Sequence, residues 1–379
     1  MKNKILILST GLAMFSMFFG SGNLVFPLLV GQMSEGHYLV ASLGILLTGV
    51  LVPFLGILAM LLFNGDQNAF FSRIGKPATF WFPLIALSLM GPFGVLARCI
   101  TVAHGAFRLL YPDLALWVFS LFACSIIFFL TIRKNRIVPL LGSVLTPLLL
   151  ISLAAIAFFG LCKVDLPTTQ LAGTWTSFKN GILQGYQTMD LLAAFFFSVF
   201  VIKHIKQKNS DMPLTSLLMF FKSSLIGASL LSLVYFALVL LGSMYAPLLT
   251  NIPPQEMLGF IAQQALGSFA APVVSIAVVL ACLTTAIVLA SLFSDFLKQE
   301  ICRNKLPTWA TLLTTLAIAF CISTLQFSGI MAFIAPILEF TYPALIVMTV
   351  MSIFHKLWGL KLVRTPIAIA VLLKLLAAI

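Results

Sequence analysis

Two short polar stretches interrupt long apolar segments of this sequence, and both carry groups that could bind a solute. The first, Gly20 to Asn23, separates the apolar residues 5–19 from 24–30. The second, Gly185 to Asp190, precedes the apolar run 191–202. Within a bilayer, an opened backbone is tolerated only where protein buries it or where it lines a cavity. We therefore interpret both interruptions as candidate binding sites, and small residues that serve only helix packing are the alternative.

The first interruption offers backbone groups of both polarities. A half-helix that starts near Asn23 would leave the N–H groups of Ser21, Gly22 and Asn23 unpaired at its positive end, which suits a carboxylate. The preceding half-helix ends near Phe19, and its free carbonyls suit a small cation or a substrate ammonium. No ionisable residue follows Lys4 in this segment. The stretch therefore predicts that an amino-acid zwitterion is held without any charged side chain.

Other polar groups inside apolar segments could complete such a site. Ala281, Thr284 and Thr285 could form an oxygen cage for a monovalent ion, although threonine hydroxyls often bond back to their own helix. Asp190 could contact a substrate ammonium or carry a proton, but capping of the following half-helix is the favoured interpretation. Glu339 lies in a late apolar segment, where we expect a protonatable gate or a pairing with a basic residue, Lys222 or Arg98.

Composition places the chain in the membrane. Of its 379 residues, 61% are hydrophobic and 8% are charged, against about 25% charged in soluble domains. The net charge of +12 does not indicate nucleic-acid binding, because the basic residues cluster in short connections between apolar segments. The six cysteines are scattered without a C-x-x-C pair, so we expect free thiols and no metal beyond a coupling Na⁺.

The apolar segments predict an all-α polytopic protein with about eleven transmembrane helices. The lysines and arginines of the connections fall almost entirely on one side, which puts the N-terminus in the cytoplasm. The two interrupted spans are five spans apart, as in a 5+5 inverted repeat with discontinuous helices 1 and 6. We expect a first repeat at 1–161, an extracellular linker at 162–177, a second repeat at 178–354 and a short eleventh helix within 355–379. The predicted spans are 5–31, 38–63, 79–103, 113–132, 137–161, 178–203, 213–241, 271–297, 308–325, 328–354 and 364–379.

One outer connection is unusually long. Residues 242–270 contain three prolines and a helix-like stretch from Gln255 to Leu266. The connection is either an external lid over the site or an ordinary surface loop.

The two interruptions resemble those of a known family. The segment Phe18 to Pro27, taken with Gly185 to Asp190, is similar to the bacterial branched-chain amino acid:cation symporters, and the order of spans agrees over nearly the whole chain. That family is placed in the superfamily with the leucine-transporter fold. The resemblance implies uptake of leucine, isoleucine and valine across the bacterial inner membrane, coupled to Na⁺ or, in some members, H⁺. The family usually has twelve spans, so the short eleventh helix is a departure.

The resemblance also implies a set of site residues. The substrate carboxylate would lie on the amides of residues 21–23, and its side chain would meet residues of spans 3, 6 and 8. From the resemblance we expect asparagine in many relatives at the position of Gln187, which is still an amide. The expected substrate-binding residues are Gly20, Ser21, Gly22, Asn23, Gly185, Tyr186, Gln187, Met189 and Asp190. The expected Na⁺ ligands are the carbonyls of Ser16 and Phe19 together with Ala281, Thr284 and Thr285.

Other functions fit the sequence less well. A symporter of the same fold for another neutral amino acid or a nucleobase stays open, because the interruptions do not name the solute. A proton-translocating subunit would need a chain of lysines and glutamates along the midplane, which this sequence lacks. An intramembrane hydrolase would need a base beside Ser21, and the four histidines lie at span ends, so we do not expect an enzyme.

Overall fold

The computed structural model describes residues 2–34, 36–132, 146–162, 173–208, 213–359, 365–367 and 369. Within these residues the secondary structure is helical, with no strand. The predicted eleventh span, 364–379, lies outside the described residues except for 365–367 and 369. The helices are α1 (Lys2–Phe18), α2 (Ser21–Gln32), α3 (Tyr38–Leu46), α4 (Val52–Leu62), α5 (Gln67–Phe71), α6 (Ala78–Met90), α7 (Val95–Phe107), α8 (Leu116–Ile132), α9 (Thr146–Leu161), α10 (Thr174–Gln187), α11 (Asp190–Lys208), α12 (Pro213–Met244), α13 (Ala246–Leu249), α14 (Met257–Leu266), α15 (Ala270–Phe296), α16 (Thr308–Ser323) and α17 (Gln326–Trp358).

Several helices are long and apolar enough to cross a membrane. Uninterrupted apolar stretches run over Tyr38–Leu62, Leu218–Met244, Pro272–Ile301 and Gln326–Trp358, and Ala78–Phe107 is also long enough as one span. A π-helical turn, Leu47–Leu51, joins α3 to α4 within the first of them. We call the membrane face where α1 begins the near face, and the face where α2 ends the far face.

Both predicted interruptions are present. The first divides one span into α1 and α2, whose axes differ by 72°, and Gly20 before α2 has extended backbone. The second separates α10 from α11 at Thr188 and Met189, where Met189 has a positive φ of 60°. A non-glycine residue in this left-handed region is strained, and such strain often marks functional sites.

A third interruption was not predicted. The sequence suggested one continuous span over 79–103, but α6 ends at Met90 and α7 begins at Val95. Between them lies the turn Gly91 to Gly94, which contains Pro92. Proline lacks a backbone donor and glycine is a poor helix former, so the helix restarts after the turn.

Eleven of the described helices form two packed groups. One, which we call the bundle, consists of α1–α4 and α10–α12; α2 packs on α12, and α10 on α3. The other, which we call the frame, consists of α7, α8, α15 and α16; α7 packs on α15, and α8 on α16. In the predicted inverted repeat, span 1 corresponds to span 6 and span 2 to span 7. The pairing of span 1 with span 7 therefore corresponds to the pairing of span 6 with span 2, and both pairings are present.

The close packing of α2 on α12 and of α10 on α3 depends on glycine. A Cβ added at Gly31 or Gly242 would overlap the backbone of the facing helix, and the same holds for Gly44 and Gly181. Small residues allow membrane helices to approach at backbone distance. The crossings therefore fix the two interrupted spans tightly against spans 7 and 2.

The long outer connection packs down on the far face. Met257, Leu258 and Ile261 of α14 are buried, and Arg108 at the end of α7 forms an ion pair of 2.8 Å with Glu256. Residues 242–270 are therefore packed against the far face, and a role as a lid over the site stays a prediction.

Candidate functional site

A small cavity of about 20 Å³ lies where the interrupted helices meet. Its polar wall comes from both interruptions and from Thr285 of α15. Most of its apolar wall lies on the near-face side of the interruptions. Residues of both the bundle and the frame line the cavity. The lining residues are Met17, Phe18, Gly20, Ser21, Gly22, Asn23, Met90, Val95, Thr188, Met189, Asp190, Ala193, Phe197, Thr285 and Leu289.

The first turn of α2 presents backbone donors to this cavity. The N–H groups of Ser21, Gly22 and Asn23 have no earlier carbonyl of their own helix to bond. Asn23 turns its side chain back, so that Oδ1 accepts a hydrogen bond of 3.1 Å from the Gly20 N–H. The positive end of α2 therefore borders the cavity, as the sequence predicted for carboxylate binding.

Asp190 connects the two interruptions. Its Oδ2 accepts hydrogen bonds from Asn23 Nδ2 at 2.8 Å and from the Tyr235 hydroxyl at 3.1 Å. Asn23 Nδ2 also donates to the Tyr235 hydroxyl oxygen. The favoured interpretation of Asp190 as a helix cap is thus wrong, because its carboxylate bonds side chains of spans 1 and 7. It forms an acidic wall of the cavity instead.

A basic side chain also reaches the second interruption. Arg98 of α7 is 1% exposed and donates hydrogen bonds to the Gln187 carbonyl oxygen at 2.9 Å and to Gln187 Oε1 at 3.2 Å. An acidic side chain, Asp190, and a basic one, Arg98, thus lie beside the interruptions. Binding of a zwitterion by backbone groups alone stays a prediction.

The expected ion ligands are only partly brought together. Thr285 Oγ1 lies 3.5 Å from the Phe19 carbonyl oxygen, which joins α15 to the end of α1. Thr284 Oγ1 instead donates to the carbonyl of Ala281 in its own helix at 2.8 Å. Ser16 is buried one turn before Phe19. Carbonyl and hydroxyl oxygens are suitable ligands for a hard cation such as Na⁺, so the Phe19–Thr285 pair fits one edge of the predicted site.

Three of the predicted substrate-binding residues do not line the cavity. Gly185 packs against Thr48 of span 2, where a Cβ would overlap the threonine hydroxyl, so its small size serves helix packing. The Tyr186 ring lies 4.9 Å from the Tyr342 ring. Gln187 faces Arg98, as described above. Met189 does line the cavity, and its role in substrate binding stays a prediction.

Glu339 is half-buried on α17 and does not line the cavity. The suggested pairing with Arg98 is not observed, because Arg98 bonds Gln187. Lys222 is exposed on α12. A role for Glu339 as a gate or proton site stays a prediction.

Sequence reasoning missed several contributors to the site. Tyr235 lies in an uninterrupted helix, and nothing in its local sequence distinguishes it. Arg98 had a signal, since a basic residue inside an apolar segment is a functional candidate by default. The nearby Gly91 to Gly94 turn could have strengthened that signal.

A second cavity, of about 280 Å³, lies between α7, α8 and α15. Its walls are apolar side chains such as Ile100 and Phe119, together with the thiols of Cys99 and Cys282. A zwitterion needs convergent polar groups, which these walls do not offer. The cavity between the interrupted helices is therefore the better candidate for a polar solute.

The architecture resembles solved transporter structures. The "Inward facing conformation of Mhp1" matches with a TM-score of 0.63 and 13% identity, over 92% of this chain and 76% of that one. A Na⁺-coupled sialic acid symporter, solved in a substrate-bound outward-open state, matches with a TM-score of 0.55 and 12% identity, over 98% of this chain and 90% of that one. The leucine-transporter-like fold with discontinuous helices is thus confirmed.

The family can also be stated. The family described as "Branched-chain amino acid transport protein" matches residues 2–379, and the chain belongs to that family. The branched-chain amino acid permease BrnQ of Corynebacterium glutamicum is 32% identical over 357 residues, which cover 93% of this chain and 81% of the relative. The branched-chain amino acid transport system 3 carrier protein of Pseudomonas aeruginosa is 29% identical over 360 residues, with coverages of 93% and 81%. The family is one of transporters, which confirms the expectation that the chain is not an enzyme.

Proposed function

We propose that the protein is a secondary active symporter that imports leucine, isoleucine and valine together with Na⁺ or H⁺. The observation that carries the proposal is the single cavity at which both interrupted helices meet, with backbone donors and the Asp190 carboxylate in its wall. Family membership and the names of the relatives support a branched-chain substrate.

Each part of a branched-chain zwitterion has a matching wall. The carboxylate binds the amides of residues 21–23, at the positive end of α2. The ammonium lies toward Asp190 and the carbonyl end of α1. The aliphatic side chain lies against the apolar part of the cavity, which includes Met90, Val95 and Leu289. This wall rejects charged side chains because it offers them no partner.

Transport requires the site to open alternately to each face. The cavity lies between the bundle and the frame, so a relative movement of these two groups opens one side and closes the other. In this structure the apolar cavity wall lies toward the near face, while Arg98 and Gln187 are packed on the opposite side. With the near face in the cytoplasm, as the charge pattern predicts, this conformation faces inward.

The direct test is uptake by purified protein in liposomes. Labelled leucine, isoleucine and valine are supplied under an imposed Na⁺ gradient or an imposed pH gradient, each applied separately. We expect accumulation of all three under at least one gradient. Absence of uptake under both gradients would contradict the proposed function, and accumulation of only other solutes would assign a different substrate to the fold.

The coupling ion can be tested at Thr285. Thr285→Val keeps the shape of the side chain but removes the hydroxyl that lies 3.5 Å from the Phe19 carbonyl. If Na⁺ binds there, we expect the Na⁺ concentration for half-maximal uptake to rise roughly 10-fold, in line with the loss of one contact to a charged group. Thr349→Val is the control, because that buried hydroxyl bonds the Leu345 carbonyl of its own helix. Unchanged Na⁺ dependence in Thr285→Val would remove Thr285 from the ion site.

A further inference from the structure

Arg98 is an unusual residue for its position. It lies in the middle of span 3, one turn after the Gly91 to Gly94 interruption, and its side chain is among the largest that are fully buried. Burying a guanidinium inside a membrane protein costs several kcal/mol unless its donors are matched by good acceptors. The contacts of Arg98 therefore indicate what the charge is for.

These contacts leave the guanidinium incompletely satisfied. Two of its nitrogens donate to Gln187, and its central carbon lies 5.4 Å from the centre of the Phe26 ring. Its Nε is buried and has no hydrogen-bond partner. No carboxylate is paired with Arg98 among the described residues, where the recorded ion pair is Arg108 with Glu256. The positively charged guanidinium thus contacts only uncharged groups in this set, namely the Gln187 carbonyl, the Gln187 side-chain amide and the Phe26 ring.

The same contacts cross between the two helix groups. Arg98 belongs to the frame, whereas Gln187 and Phe26 belong to the bundle. Gln187 ends α10 and Phe26 lies in α2, so both are on the far-face side of the interruptions. A movement that separated the frame from the bundle at the far face would break the bonds between Arg98 and Gln187.

Arg98 also lies close to the backbone donors of α2. The next residue, Cys99, contacts Ser21, with Sγ 3.4 Å from the serine Oγ. On the far-face side, α7 packs on α2, so a solute that passed between these helices would reach the amides of residues 21–23. The guanidinium stands beside that route.

We propose that Arg98 binds the carboxylate of the incoming solute when the site is open to the far face, with the carboxylate replacing Gln187 as its partner. The proposal rests on the proposed function and adds a specificity-determining residue to it. A guanidinium matches a carboxylate in a bidentate geometry that also uses the Nε–H. In a narrow cleft of low polarity, the same charge repels cationic solutes and favours those with a carboxylate.

The experiment compares two ligands that differ only at this group. Leucine and leucinol share the side chain and the ammonium, but leucinol carries a hydroxymethyl group instead of the carboxylate. Each is used to inhibit uptake of labelled leucine by wild-type protein, Arg98→Gln and Arg98→Lys in liposomes. We expect Arg98→Gln to reduce the preference for leucine over leucinol roughly 10- to 100-fold, the effect of one charge-assisted bond. Arg98→Lys should give an intermediate preference, because an ammonium keeps the charge but not the fork of donors.

Two further arms separate this role from a structural one. If Arg98 only stabilises the C-terminal end of α10, Arg98→Gln lowers the affinity for leucine and for leucinol equally. An unchanged preference for leucine over leucinol therefore overturns the proposal. Arg108→Gln changes an exposed arginine at the end of the same helix and should leave the preference as it is. For a variant that no longer transports, the preference is measured from the rise in unfolding temperature that each ligand produces.

The outcome also distinguishes the two proposals. If the wild-type protein neither accumulates nor binds leucine, the proposed function fails, and Arg98 has no carboxylate of this kind to recognise. If the wild-type protein transports leucine and Arg98→Gln keeps the full preference, only the proposal for Arg98 fails.

Discussion

Gly22→Val is expected to abolish leucine uptake while the protein still inserts into the membrane. A Cβ at this position would lie 3.2 Å from the Phe26 ring and 3.4 Å from Thr188 Cα. The two further carbons of valine would extend into the space between α2 and the second interruption. That space is where the proposed carboxylate site lies, so the added atoms both occupy it and hold the interruptions apart.

A graded series makes this prediction specific. Gly22→Ala adds one carbon at distances that small shifts can absorb, so we expect partial uptake of leucine. In Gly22→Val we expect the rate of leucine uptake to fall at least about 100-fold. This fall is consistent with about 1–3 kcal/mol for overpacking together with the loss of substrate contacts. Gly75→Val serves as the control, because its Cβ would meet nothing closer than 3.7 Å. Initial rates of labelled leucine uptake are normalised to the amount of protein in the membrane. Normal transport by Gly22→Val would remove Gly20 to Asn23 from the binding site.

Asp190→Asn is expected to reduce uptake about 100-fold with little loss of folded protein. Asparagine keeps an oxygen that can accept from Asn23 and Tyr235, so the link between spans 1, 6 and 7 is preserved. What disappears is the negative charge in the cavity wall. A hydrogen bond to a charged group contributes about 1.5–3 kcal/mol, which corresponds to the expected loss if the substrate ammonium or the coupling cation depends on it.

The measurement pairs uptake with leucine affinity. Asp113→Asn makes the same change at an exposed aspartate in the connection before α8 and should transport normally. A variant Asp190→Asn that transports at the wild-type rate would show that the carboxylate only supports the packing of Asn23 and Tyr235. A loss of rate without a loss of leucine affinity would assign Asp190 to the coupling ion and not to the substrate.

The sequence was sufficient to locate two of the three interruptions because their cause is local. Glycine, serine and asparagine at 20–23 open a helix by their own conformational preferences, and the apolar segments around them define the span. The fold then followed from the spacing of the two interrupted spans and from the resemblance to a known family. The division at 162–177, the cytoplasmic N-terminus and the helix count remain predictions.

The interactions between spans could not be predicted in the same way. Asp190 was interpreted as a helix cap because a capping side chain bonds backbone N–H groups only two or three residues later. Its observed partners, Asn23 and Tyr235, are distant in sequence. Gly185 looked like a ligand residue, but its neighbour Thr48 explains its small size. The charge of Arg98 was visible in the sequence, yet its direction toward Gln187 depends on how the frame packs on the bundle.

The central claim is that a branched-chain amino acid binds between the two interruptions. The most direct measurement is an experimental structure of the protein with leucine bound, at a resolution that orients the carboxylate. We expect the carboxylate within hydrogen-bonding distance of the amides of residues 21–23, with the side chain toward Met90 and Leu289. Leucine bound elsewhere, for example in the apolar cavity between α7, α8 and α15, with the amides of residues 21–23 unoccupied, would contradict this account.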